Sequence, residues 1–173
     1  GARVTLVSTS DLETPPGVDR VAVETADEMA EAVLQVAGAV DVAVMAAAVA
    51  DFKPAEVSDR KLRRRQGPPL LTMTKTPDIL AAVAALDPRP FLVGFAAETG
   101  PSDAAIDKAR SKGADLIVAN DVTAEGSGFG TDTNEVTILE PDGTIDSWPL
   151  MSKTEVAVGL WDLIVRRAKP FSR

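Results

Sequence analysis

Apolar positions along the chain follow two periods. Four short runs, Val4 to Val7, Asp41 to Met45, Phe91 to Gly94 and Asp115 to Ala119, are apolar without polar alternation, the pattern of strands covered on both faces of a parallel sheet. A weaker run covers Arg20 to Val23. Helical spacing separates them. Thr25 and Glu28 form a capping-box pattern ahead of Met29, Val33, Leu34 and Val36, with Gly38 as the stop. A second helix is expected to open at Thr76-Pro77-Asp78, with Thr76 as cap and Pro77 in the first turn, and to run to about Leu86. A third lies between Ser102 and Lys112, ended by Gly113, and a fourth begins at the capping box Ser152 and Glu155 and continues to about Arg167.

Strands alternating with helices build crossover units and a parallel sheet. Near the end of the chain, Glu135 to Glu140 and Thr144 to Trp148 flank Pro141-Asp142-Gly143, a hairpin signal that adds an antiparallel edge. The expected class is α/β, as one domain over residues 1–173. Two loops stand out, Asp51 to Leu70 with Pro54, Pro68 and Pro69, and the glycine-rich Val122 to Thr133.

Composition narrows the chemistry. The 173 residues contain no Cys and no His, which removes disulfides, Cys/His zinc sites, thiol nucleophiles and a Ser-His-Asp relay. Catalysis is left to carboxylates, Lys, Arg, hydroxyls, backbone amides or a bound ion. With 26 acidic and 18 basic side chains and a net charge of -8, the body lacks the basic face that grips nucleic acid, so no nucleic-acid partner is expected. The longest apolar stretch, Val40 to Ala50, is about half of the roughly 20 residues a membrane helix needs. Neither a membrane span nor a signal-peptide pattern is expected, and the expected location is cytoplasmic.

Against this acidic background, Arg60-Lys61-Leu62-Arg63-Arg64-Arg65 carries five positive charges in six residues, suited to a polyanion such as a triphosphate or simply to water. Ligands in open parallel sheets settle beyond the carboxyl ends of strands. There, Met45-Ala46-Ala47-Ala48 offers methyl-sized side chains that let a planar ligand approach, and Asp51 follows as a ribose or metal partner or a turn residue. Lys75-Thr76-Pro77-Asp78, at an expected helix start, suits an anion or plain capping. Phe95, one of five Phe in a chain without Tyr, either walls a base or fills core, and Lys108 and Lys112 share one helix face. Neither a Walker-type phosphate loop nor a G-x-G-x-x-G turn is present.

Taken in order, Ala47-Ala48-Val49-Ala50-Asp51-Phe52, Lys61-Leu62-Arg63-Arg64, Lys75-Thr76-Pro77-Asp78-Ile79, Gly94-Phe95-Ala96-Ala97-Glu98-Thr99, Ala119-Asn120-Asp121-Val122 and Gly128-Phe129 resemble phosphopantothenate-cysteine ligase, a bacterial enzyme of coenzyme A biosynthesis. The resemblance implies a Rossmann-like three-layer sandwich that binds CTP and works as a homodimer. It implies two steps, attack of the 4'-phosphopantothenate carboxylate on CTP to give an acyl-cytidylate and pyrophosphate, then displacement of CMP by the cysteine amine. It places CTP contacts on Met45, Ala46, Ala47, Asp51, Lys61, Lys75, Thr76, Pro77, Asp78, Phe95, Lys108 and Lys112. Lys61 takes the main catalytic role, Ala48 is a small position beside the intermediate, and magnesium accompanies the triphosphate with Asp51 as its ligand.

The same resemblance marks departures. The family normally begins with a further strand, a Gly-rich turn and a helix whose Asn holds the acyl-nucleotide carbonyl, and that Asn has no counterpart here. A flavin-dependent decarboxylase domain often precedes the ligase, so the full-length protein is expected to carry one, with no flavin in this chain. The basic loop has fewer lysines than many relatives, although Lys61 is matched. Two alternatives remain: a nucleotide-binding module without turnover, and a dehydrogenase relative, disfavoured by the missing Gly-rich turn.

Overall fold

In the computed structural model, the described residues are 1–57, 61, 67–98, 111–121, 126–127 and 130–168. Their elements are β1 (Val4–Ser8), β2 (Val18–Ala22), α1 (Ala26–Ala37), β3 (Val42–Met45), β4 (Phe52–Pro54), β5 (Met73–Lys75), α2 (Ile79–Ala84), β6 (Phe91–Glu98), β7 (Leu116–Asp121), β8 (Thr133–Leu139), β9 (Ile145–Ser152) and α3 (Lys153–Arg167). The chain divides into two compact units, Gly1–Val33 with Ala48–Ile79, and Leu34–Ala47 with Leu80–Arg173.

Both expected capping boxes form. The Glu28 amide donates to Thr25 Oγ1 at 3.2 Å, and the Glu28 carboxylate accepts from the Glu24 and Thr25 amides at 2.8 and 3.0 Å. At α3, the Glu155 amide donates to Ser152 Oγ at 3.1 Å and the Ser152 amide donates back to Glu155 Oε2 at 2.8 Å. Each reciprocal pair satisfies donors that a helix start leaves without partners.

The second unit holds a five-stranded sheet in the order β3-β6-β7-β8-β9. The β3, β6 and β7 strands run parallel, and β7-β8 and β8-β9 pair antiparallel, so the parallel sheet with a hairpin edge is present. At the hairpin tip, the Gly143 amide donates to the Glu140 carbonyl at 3.0 Å and Gly143 has φ 94°, a conformation glycine adopts without steric cost. One face of the sheet, with Val93, Leu116, Val118, Val136 and Ile138, packs on Val156, Leu160, Leu163 and Ile164 of α3. These α3 positions repeat at three- and four-residue spacing, which places them on one stripe. Trp148 lies over α3 at Gly159, where an added Cβ would stand 3.1 Å from the indole ring. On the other face, Leu80 of α2 approaches β6 at Gly94. The mixed α/β class of the expectation is the one observed.

Arg89 and Asp115 tie the starts of β6 and β7 together. Arg89 Nη1 and Nη2 donate to the two Asp115 oxygens at 2.5 and 2.9 Å, and Asp115 Oδ2 also accepts the Leu92 amide at 2.8 Å. This hydrogen bonding raises the Arg89 pKa above its ordinary value. At the opposite end of α3, Arg167 grips Glu140 through Nε and Nη2 at 3.0 and 2.9 Å.

The first unit contains two small sheets, parallel β1-β2 and antiparallel β4-β5. The β1 segment reads as a strand covered on both faces, yet Val4 and Leu6 are 43% and 38% exposed, because among the described residues β1 pairs with β2 alone. Two further expectations are corrected. The stretch from Asp51 to Leu70 is not loop throughout, since it supplies β4, which pairs with β5 in the register Phe52↔Lys75, Lys53↔Thr74, Pro54↔Met73. The second helix starts at Ile79 rather than after a Thr76 cap, and ends at Ala84 with a tightened turn in which the Leu86 amide donates to the Val83 carbonyl at 3.2 Å. Pro77 disfavours helical backbone at Thr76, which instead continues the extended course of β5. The expected helix from Ser102 to Lys112 lies, but for its last two residues, outside the described residues.

Candidate functional site

The parallel strands β6 and β7 end together at the Glu98–Asp121 pair, and β3 stops earlier, where Met45 pairs with Gly94. Met45 is half-buried, and Ala46 and Ala47 follow it exposed, as a run offering backbone and methyl groups to a ligand would be. Close packing shapes this end of the sheet. A Cβ on Gly94 would lie 2.8 Å from Ile117 Cδ1 and 3.1 Å from Leu80 Cδ2, so β6 carries glycine where helix and neighbouring strand converge. Phe95 is half-buried and packs against the core of the sheet and α3. Lys112 is half-buried beside Gly113, and Lys108 lies outside the described residues.

In the first unit, Ala48 is exposed and the chain passes through Val49 and Ala50 to Asp51. One residue fastens this passage. The Thr76 hydroxyl donates to the Ala50 carbonyl at 2.5 Å, and the Thr76 amide donates to the Asp51 carbonyl at 3.0 Å. With Phe52 opposite Lys75 and the Ala55 amide donating to the Thr72 carbonyl at 2.8 Å, residues 50–55 and 72–76 form a two-stranded ribbon. The ribbon brings Asp51 to the same end as the adjacent Lys75 and Thr76, which lie 24 and 25 positions later in sequence. Lys53, on the same strand, pairs with Asp27 at the start of α1. Pro77 and Asp78 follow as exposed residues between the ribbon and α2, and Lys61 is exposed.

The ribbon carries one exposed carboxylate, Asp51, and one exposed ammonium, Lys75, at neighbouring positions of its two strands. Among the described residues, no group of three or more acidic side chains is gathered to hold a metal by itself. Asp51 supplies one carboxylate, and magnesium can be held by a single protein carboxylate when phosphate oxygens and water complete its shell.

Several positioning contacts have no counterpart among the sequence expectations. They are the Asp27–Lys53 pair, the Arg89–Asp115 fork and the buried Ser127–Asn134 contact, in which Ser127 Oγ donates to Asn134 Oδ1 at 2.6 Å. All three join residues remote in sequence or within a glycine-rich loop, where no local periodicity marks them.

Comparison with known proteins places this architecture. The family model described as the DNA/pantothenate metabolism flavoprotein C-terminal domain matches residues 1–167. The chain is 46% identical over 150 residues to a coenzyme A biosynthesis bifunctional protein CoaBC of Vibrio parahaemolyticus, covering 84% of this chain and 38% of that protein. It is 43% identical over 172 residues to the Bacillus subtilis protein of the same name, covering 98% of this chain and 42% of that protein. A crystal structure of the C-terminal domain of a CoaBC protein superposes with TM-score 0.78 at 41% identity, covering 96% of this chain and 76% of the other. The DNA/pantothenate metabolism flavoprotein from Streptococcus pneumoniae shares the fold with TM-score 0.76 at 22% identity, covering 96% of this chain and 82% of the other. The chain belongs to the DNA/pantothenate metabolism flavoprotein C-terminal domain family.

Proposed function

We propose that the chain is the ligase domain of a bifunctional coenzyme A biosynthesis protein, joining 4'-phosphopantothenate to cysteine at the expense of CTP. In the first step a carboxylate oxygen of 4'-phosphopantothenate attacks the α-phosphorus of CTP, forming the acyl-cytidylate as pyrophosphate leaves. In the second, the cysteine amine attacks the acyl carbon, the amide forms, CMP leaves and the amine loses a proton. Such chemistry asks a protein to hold reactants in line and to neutralise growing charge, and needs no protein nucleophile. A chain without His or Cys is equipped for it.

The observation that carries this reading is the ribbon in which Thr76, next to Lys75, is fastened to the Ala50 and Asp51 carbonyls, joining two of the ordered motifs. As proposed nucleotide contacts, the second unit supplies Met45, Ala46, Ala47, Phe95 and Lys112, with Lys108, and the first supplies the segment Lys75 to Asp78. Lys61 is the mobile cation over the reacting phosphate and carboxylate. Ala48 leaves room for the intermediate. Asp51 holds the ribose or the magnesium ion, which when bound neutralises the triphosphate.

Two copies form the working unit, and apolar side chains left exposed on and beside the ribbon, Phe52, Leu71 and Met73 among them, support burial against a partner, since a two-stranded ribbon is marginally stable alone in water. The bifunctional relatives support a neighbouring flavin-dependent decarboxylase domain in the full-length protein. The test is an assay of pyrophosphate release by the full-length protein from CTP and 4'-phosphopantothenate, with and without cysteine. Pyrophosphate that requires both CTP and phosphopantothenate is expected, and its absence would sink the reading. Nucleotide binding without release would leave a non-catalytic binding module.

A further inference from the structure

Thr76 occupies an unusual position among the candidate residues, because its hydrogen-bonding groups are directed into the protein. Its hydroxyl donates to the Ala50 carbonyl at 2.5 Å and its amide to the Asp51 carbonyl at 3.0 Å. Those two carbonyls belong to the peptide groups on either side of the Asp51 Cα, so the two bonds together restrain both backbone torsions of Asp51. The same residue is bonded directly to Lys75, which stands opposite Phe52 in the β4-β5 register. One side chain and one amide therefore set the direction in which the Asp51 side chain leaves the backbone. From the other side, the Lys53–Asp27 pair ties β4 to the start of α1.

We infer that Thr76 is a positioning residue for nucleotide binding, acting through the orientation of Asp51 rather than through contact of its hydroxyl with the nucleotide. The inference rests on the proposed CTP site and assigns it a supporting group. A β-branched side chain suits the task, since threonine has few rotamers to lose on making the bond. The amide half of the clasp survives any ordinary substitution, so the hydroxyl half can be removed by itself. Thr76→Val keeps shape and branching and deletes the donor, whereas Thr76→Ser keeps the donor.

Two measurements on Thr76→Val, Thr76→Ser and wild type decide the matter. The first needs no ligand: NMR order parameters of the Asp51 and Phe52 amides are expected to fall in Thr76→Val and to return in Thr76→Ser. Unchanged order parameters in Thr76→Val would overturn the clasp. The second is a double-mutant cycle with Asp51→Asn, read as the dissociation constant for CTP in the presence of magnesium. Loss of one neutral hydrogen bond is expected to weaken CTP binding about tenfold in Thr76→Val and not in Thr76→Ser. In the Asp51→Asn background the same Thr76→Val change is expected to have almost no further effect. Equal weakening in both backgrounds would overturn positioning in favour of direct contact. Absence of CTP binding by wild type would instead sink the ligase reading, with the order parameters still judging the clasp.

Discussion

Lys61 and Asp115 serve the molecule in two ways, Lys61 through the proposed reaction and Asp115 through the scaffold. If Lys61 acts on charge that develops in the first step, Lys61→Gln lowers the rate of acyl-cytidylate formation by about 100-fold or more while changing CTP affinity far less. Single-turnover kinetics of pyrophosphate release, set against equilibrium CTP titration, separates the two. Equal losses in both would make Lys61 a binding residue only. Asp115 has no reacting partner, but its carboxylate receives two guanidinium nitrogens and the Leu92 amide. Asp115→Ala removes charge-assisted bonds at the partly buried strand starts and is expected to cost about 2 kcal/mol in urea unfolding. The chemical types of the candidate residues were legible in the sequence, since a basic run in an acidic chain and small residues after a strand carry local signals. Thr76 stood among the expected nucleotide contacts, but its hydrogen-bond partner was not legible. A hydroxyl that reaches a carbonyl 26 positions earlier leaves no periodic trace.

At the scale of elements, the strands and capped helices follow the apolar pattern closely, and the departures have physical causes. The β4 and β5 strands are three residues each, too short for alternation to show, and Pro54 weakens the strand signal further. The β1 strand has the composition of a buried strand but an exposed setting, because local composition does not specify which edges are paired. The α2 helix starts late because Thr76 is drawn into the ribbon. Capping gives a testable pH dependence. Hydrogen bonds from Ser152 hold the Glu155 carboxyl below the ordinary glutamate value, as those from Glu24 and Thr25 do for Glu28. The folded state then binds these protons less readily than the unfolded chain. The caps contribute fully above the unfolded value and lose their contribution as pH falls through the folded one. Wild type should therefore lose more stability between about pH 6 and about pH 3 than Glu155→Gln, measured by denaturant unfolding at each pH. Identical losses would deny the carboxylate this role. At the end of the sheet, Gly94→Ala forces Ile117 and Leu80 aside and is expected to cost about 1 to 3 kcal/mol of stability, with a parallel loss of CTP affinity.

For the whole molecule, the relation between charge and assembly is the informative level. A chain of net charge -8 concentrates five positive side chains within residues 60–65, so under the proposed function its attraction for a triphosphate is local and set against a repelling body. CTP affinity should accordingly fall as salt rises, and more steeply than the folding stability does. Substituting Asp for Leu71 and Met73, both exposed beside or on the ribbon, is expected to shift a dimer toward an 18.1 kDa monomer in sedimentation without unfolding the sheet around β6 and β7. The measurement that addresses the central claim most directly is phosphorus NMR of the full-length protein with CTP, magnesium and 4'-phosphopantothenate, followed by addition of cysteine. Ligase chemistry predicts pyrophosphate together with an acyl-cytidylate signal before cysteine, and conversion of that signal to CMP after it. CTP left intact in the presence of phosphopantothenate, or consumed equally without it, would contradict the account.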